Sequence, residues 1–182
     1  MRVLRTLSLF PEKTFTGRQL AEMAGAPPSK AIQELERLKG AGIVTRETHG
    51  NAHAWRANTQ HAVFRLLAQA FEAEHGLRKA MIGEIVNAVR DERVARAVLF
   101  GSFARGDERP ESDVDVLVLA RRAADVDDVR RSLDGLAIRL ARTYGARLSA
   151  IVHAEAELPR LRRTRLLANI RKEGRALKGE MP

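Results

Sequence analysis

The stretch FGSFARGDERPESDVDVLVLA, residues 100–120, limits what this chain can fold into more than any other. An apolar strand closes on a Gly-Ser turn, a charged loop follows, and the next strand opens with Asp113 and Asp115 alternating with valines. Alternate residues of a strand project to one face, with Cα atoms about 7 Å apart, so both carboxylates point the same way. Val114, Val116 and Val118 then point the other way, into a core. Two like charges side by side repel, and burying part of either is unfavourable unless something positive meets it.

A divalent cation meets that demand, and the preceding turn suggests what the cation would hold. A Gly-Ser pair that closes a strand and opens a helix offers backbone N–H groups and a positive dipole end, which suit a phosphate. Gly101 lets the backbone come close, Ser102 adds a hydroxyl donor, and Arg105 carries a planar fork able to reach the same phosphate chain. Carboxylates facing a phosphate cradle need Mg²⁺ between them. Two metals about 3.5–4 Å apart can hold an attacking oxygen and an α-phosphate in line. A lone Gly-Ser is a turn and a lone strand aspartate is usually solvated. Their order and spacing here point to a nucleotide site.

The rest of the chain divides into three. Residues 1–58 read as helix Arg2–Leu9, a helix GRQLAEMAG capped by Thr16, a helix PPSKAIQELERLKGAG, and a two-stranded hairpin. Ile32, Leu35 and Leu38 are expected to share the inner face of that third helix. Residues 59–92 read as a helical linker of two amphipathic helices broken at His75-Gly76, with Val63, Leu66, Leu67, Ala70 and Phe71 as the apolar stripe. It would bridge two domains or form the seam of a homodimer. Residues 93–182 alternate strand and helix: ARAVLF, DVDVLVLA, a helix over Asp125–Tyr144, ARLSAIV and a last basic helix over Leu158–Leu177. Val129, Leu133, Leu136 and Leu140 would face the sheet. The expected class is α+β or α/β, with helices packed on a mixed sheet.

Composition narrows the function classes. The chain has no cysteine, which excludes disulfides, thiolate zinc sites and cysteine nucleophiles. Met1 leads into an amphipathic stretch, and no apolar run approaches the roughly 20 residues that span a bilayer, so a cytoplasmic location is expected. The net charge of +9 sits at the two ends: basic residues outnumber acidic ones by 9 to 5 in residues 1–60 and by 8 to 3 in residues 156–182, against 15 to 15 between. Basic ends suit a polyanion, most often nucleic acid; they also fit plain solubility. The histidines at 49, 53, 61, 75 and 153 form no metal set.

TGRQLAEMAGAPPSKAIQELERLKGAGIVTRE resembles the core of winged helix-turn-helix regulators, a likeness covering about residues 1–58. It implies a recognition helix whose outward residues Ser29, Lys30, Gln33 and Arg37 approach base edges of double-stranded DNA. It also implies a wing from which Arg46, His49, Asn51, His53 and Arg56 reach phosphates or the minor groove. A winged helix used only for protein contacts is the alternative.

GSFARG followed by SDVDVLV, with NIRKEGRAL near the end, resembles the DNA polymerase β superfamily of nucleotidyltransferases, most closely its minimal, MNT-type members. The likeness covers residue 94 to about 178. It implies that Gly101 and Ser102 bind a nucleoside triphosphate, with ATP the expected donor, and that Asp113 and Asp115 bind Mg²⁺. The implied reaction moves a nucleoside monophosphate to an acceptor, with pyrophosphate leaving. MNT-type proteins often act as the antitoxin partner of a HEPN-type toxin, which makes a protein acceptor plausible. One departure matters. Where the family often has a third carboxylate on the following strand, this chain has Ser149, and the strand register argues against Glu155 or Glu157 standing in. A DNA-binding regulator whose transferase domain is weak or inactive is therefore the competing expectation.

Overall fold

A computed structural model describes residues 1–49, 52–108 and 111–182. The chain separates into two compact units, Met1–Gly76 and Leu77–Pro182.

The first unit is built from α1 (Arg2–Leu9), β1 (Thr14–Thr16), α2 (Gly17–Met23), α3 (Pro28–Gly40), β2 (Val44–His49), β3 (Ala52–Ala57) and the start of α4 (Ala62–Val89). Thr16 begins α2 with a reciprocal cap: its hydroxyl accepts the Gln19 N–H while the Gln19 side chain accepts the Thr16 N–H. Pro28 occupies the first turn of α3, where its missing N–H leaves nothing unpaired. Strands β1, β3 and β2 form an antiparallel sheet in that order, so the hairpin gains a third, unanticipated strand from the segment before α2. The turn of the hairpin, with Asn51, lies outside the described residues.

Val3, Leu4, Leu7, Leu20, Leu35 and Trp55 fill the core of this unit. On α3 the inward row is Ala31, Leu35 and Leu38, not a row led by Ile32, which is 40% exposed. Ile32 instead lays its Cδ1 over Gly17, where a Cβ would collide with it.

The linker differs from expectation as well. α4 is one helix of 28 residues, unbroken at His75-Gly76. An interior glycine costs a helix only about 1 kcal/mol, and packing at both ends of α4 outweighs it. The docked stripe is Phe64, Leu67, Ala68 and Phe71, leaving Val63 and Leu66 exposed. Further along, Met81, Ile85 and Val89 enter the core of the second unit.

The second unit continues with β4 (Val94–Phe100), α5 (Gly101–Arg105), β5 (Val114–Ala120), α6 (Val126–Tyr144), β6 (Leu148–Ala154), α7 (Leu158–Leu161), α8 (Arg165–Glu173) and β7 (Arg175–Lys178). The sheet order is β6-β5-β4-β7, with β5 and β6 parallel and the other neighbours antiparallel, which makes the sheet mixed. One face is covered by α4 and α6, whose Val129, Leu133, Leu136 and Leu140 meet Val114, Val116 and Val118 of β5. The other face carries Val98, Leu117 and Leu119 against Leu158, Leu167 and Ile170. β5 is thus apolar on both faces beyond Asp115, as a central strand must be.

The last basic helix does not form as one piece. Thr164 caps a new helix by accepting the Leu167 N–H, and the chain turns again at Gly174 to run β7 along the edge of β4. A Cβ at Gly174 would collide with the Ile170 carbonyl and crowd Val98, so only glycine allows this turn so close to the sheet. Among the described residues, no helix is long and apolar enough to cross a membrane.

Candidate active site at the Gly-Ser turn

The sheet register brings the chemistry-bearing residues into one row. Phe100 pairs with Asp115 across the antiparallel ladder, and Asp115 pairs with Ser149 across the parallel one. Asp113 and Asp115 share the parity of Leu117 and Leu119, so they rise on the face that carries α8.

Gly101 follows Phe100 directly and is where strand becomes helix. Its φ of 72° lies in the left-handed region, and a Cβ there would stand 2.5 Å from Asp115 Oδ2. Glycine is therefore required twice, by backbone conformation and by the carboxylate pressed against it. Ser102 is half-buried in the first turn of α5, and its carbonyl accepts the N–H groups of Gly106 and Asp107.

The two acids have different surroundings. Burial pushes the Asp115 carboxyl above its usual range; the neighbouring Ser149 hydroxyl opposes that shift, and the Asp113 charge adds to it. Asp113 Oδ1 is shut off from solvent, with the Arg147 Nε 2.8 Å away. That contact is an ion pair without hydrogen-bond alignment, so the oxygen stays without a donor. The Arg147 Nη2 donates instead to the Glu111 carbonyl at 3.3 Å.

Other candidates are engaged elsewhere. Arg105 spends its guanidinium on Asp107 at 3.2 Å and on Glu173 of α8 at 2.9 Å. Phe103 packs on the α4/α6 side of the core and lies under the Arg78 guanidinium. Glu155 pairs with Arg96 and Glu157 with His153, both beyond the far end of β6, so neither replaces the missing third carboxylate. Among the described residues, no group of three or more His, Asp or Glu side chains is placed to hold a metal. Sequence spacing gave no sign of Arg147; only the β5–β6 pairing brings it to Asp113.

In the first unit, Ser29, Lys30, Gln33 and Arg37 are all exposed along α3. Arg46 is ion-paired with Glu36 and lies over the Trp55 ring, and Arg56 pairs with Glu12 at 2.7 Å. His53 is exposed, with its Nδ1 3.4 Å from the Thr48 hydroxyl.

Comparison with known proteins places this geometry in a family. Residues 82–176, just over half of the chain, match the nucleotidyltransferase domain family, and the chain belongs to it. Members of that family generally use nucleoside triphosphates and divalent metals. A Methanocaldococcus jannaschii protein, MJ0604, provisionally named a protein adenylyltransferase, is 36% identical over 99 residues, covering 53% of this chain and 93% of that protein. A second from the same organism, MJ0141, with the same provisional name, is 32% identical over 68 residues, 37% of this chain and 68% of the relative. Among solved structures, a toxin-antitoxin with AMP-PNP aligns at 24% identity over 54% of this chain and 73% of that one, with a TM-score of 0.39.

Two outcomes follow from the packing. Gly101→Ala adds a Cβ at positive φ and against a carboxylate, and should lower stability by about 2 kcal/mol in chemical denaturation. Asp115 has a raised carboxyl pKa in the fold, so its charge weakens the fold above that pKa, and the penalty fades as pH falls through it toward the unfolded value. Asp115→Asn should therefore raise the melting temperature at pH 7, with the gain disappearing near pH 3.5, read by thermal melts across pH.

Proposed function

We propose that the chain transfers the nucleoside monophosphate of ATP to a hydroxyl of a protein or small-molecule acceptor, and that its first unit binds double-stranded DNA. The observation that carries the transferase half is the Asp115 carboxylate packed on the bare backbone of Gly101, with Asp113 beside it on the same face. The family membership and the names of the two relatives support an adenylyl donor and a protein acceptor. A HEPN-type toxin is the acceptor that the MNT-type resemblance suggests.

The donor set fits Mg²⁺. Asp113 and Asp115 are hard oxygen donors, one has a buried oxygen with no aligned donor, and the other is partly stripped of water. They would hold the ion, and Mg²⁺ there neutralises triphosphate charge and makes the α-phosphorus more electrophilic. Gly101 and Ser102 hold the phosphates through backbone and hydroxyl donors. The acceptor oxygen bonds to the α-phosphorus as the bond to the bridging oxygen breaks, and pyrophosphate leaves with that electron pair. Ser149 cannot take the acceptor's proton, which passes to solvent. Loss of a positioned general base commonly lowers rate 10²–10⁴-fold, so turnover is slow. That same residue favours the second reading, a DNA-binding regulator that binds nucleotide without transferring it.

For the first unit, the order helix, helix, helix, hairpin and the exposed row Ser29, Lys30, Gln33 and Arg37 support a winged helix reading the major groove. Arg46 and Arg56 must leave Glu36 and Glu12 to meet phosphate, so they add less than Lys30 or Arg37.

Incubation with α-labelled ATP, Mg²⁺ and candidate acceptors should transfer label, and Asp115→Ala should abolish transfer. Equal labelling by the variant rejects the assignment. Binding to duplex DNA should weaken steeply with salt, and Lys30→Ala should cost about 1–3 kcal/mol of binding and relax specificity at the base it faces. Salt-independent binding, or none across a genomic library, rejects the DNA half.

A further inference from the structure

Ser149 and Arg147 enter from the same end of β6, and each stands beside one of the two acids. The parallel register sets Ser149 beside Asp115. Two residues earlier, just before β6, the Arg147 carbonyl accepts the Val114 N–H at 2.8 Å, which holds its backbone at the start of β5; its largely exposed side chain reaches Asp113 with Nε 2.8 Å from Oδ1. We propose that this site takes one divalent cation with its nucleotide and not two, the second charge being met by Arg147. The inference rests on the nucleotide-binding reading above and goes beyond it to the metal count.

The argument is one of charge and donors. Two divalent ions a few ångströms apart repel strongly and need anionic side chains to hold them together. Among the described residues, the acids of this strand row are Asp113 and Asp115, and the strand position that would add a third holds an uncharged hydroxyl. Of the other nearby described acids, Glu108 pairs with Arg78 at 2.9 Å, Asp107 and Glu173 with Arg105, Glu155 with Arg96 and Glu157 with His153, while Glu111 is exposed in the loop two residues before Asp113, off the strand row. With Arg147 at Asp113, the carboxylate pair keeps one net negative charge, which a single divalent ion already exceeds. A second would find no further carboxylate on the strand row, only the triphosphate itself and the solvent-exposed Glu111 of the loop.

The side chains also divide the work. Asp115 lies between the bare backbone of Gly101 and its ladder neighbour Ser149, so it is the better-placed ligand. Asp113 is shared between the ion and the guanidinium. Removing Arg147 would therefore free Asp113 for the metal, and replacing Ser149 by an acid would restore the missing anion.

The test counts metal ions directly. Mn²⁺ is titrated into the full chain saturated with a non-hydrolysable ATP analogue, and free Mn²⁺ is read by electron paramagnetic resonance. The wild-type chain should bind one Mn²⁺, Arg147→Gln should bind that ion several-fold more tightly, and the double variant Ser149→Asp, Arg147→Gln should bind two. Ser149→Asn, an uncharged control of similar size, should still bind one. Two ions on the wild-type chain, or one on a double variant that keeps its nucleotide affinity, overturns the inference and leaves the transferase reading standing. Absence of both Mn²⁺ and nucleotide binding overturns the two together.

Discussion

The carboxylate of Asp115 lies against a stretch of backbone that has no side chain to keep it away, and the geometry of the candidate site follows from that contact. Gly101 adopts a positive φ, so the chain turns from β4 into α5 within one residue. The absence of a Cβ lets the acid fill the space. Ordinary folding would avoid the arrangement, since burial raises the free energy of the charged form and Asp113 sits two residues away. Perturbed carboxylates of this kind cluster at functional sites, which is what makes this row the candidate.

The sheet makes the contact possible by holding β5 rigid. From Val116 to Ala120 the strand is buried on both faces, between α4 and α6 on one side and α7 and α8 on the other. A slip of one residue against β4 and β6 would exchange its valine and leucine faces and turn Asp113 and Asp115 toward the core under α4 and α6. Asp113 and Asp115 are therefore placed by the hydrophobic effect acting several residues away. Ser149 is fixed by the same logic, because β6 carries Ile151 on one face and Val152 on the other.

Patterns that depend on neighbours in sequence were legible. The alternation of aspartate and valine set Asp113 and Asp115 on one face of β5, Thr16 as a cap marked the start of α2, and the spacing of Val129, Leu133, Leu136 and Leu140 identified the buried face of α6. Features set by distant partners were not. The three residues of β1 and the four of β7 exist because β3 and β4 offer them ladders. Two overlapping apolar stripes run along the start of α4, and periodicity could not say that Phe64, Leu67, Ala68 and Phe71 would dock while Val63 and Leu66 would not. Arg105 stands a turn beyond the Gly-Ser pair, but Glu173, brought near by α8, competes for its charge. Arg147 escaped notice for the same reason: Asp113 is 34 residues earlier, and only strand pairing makes them neighbours.

Crystals soaked with Mn²⁺ and a non-hydrolysable ATP analogue test the central claim most directly, since anomalous scattering locates the metal independently of the nucleotide. The account predicts a metal peak bonded to Asp115, with triphosphate oxygens on the backbone of Gly101 and Ser102. Nucleotide bound elsewhere on the chain, or phosphates on the turn with no metal at Asp113 and Asp115, would contradict it.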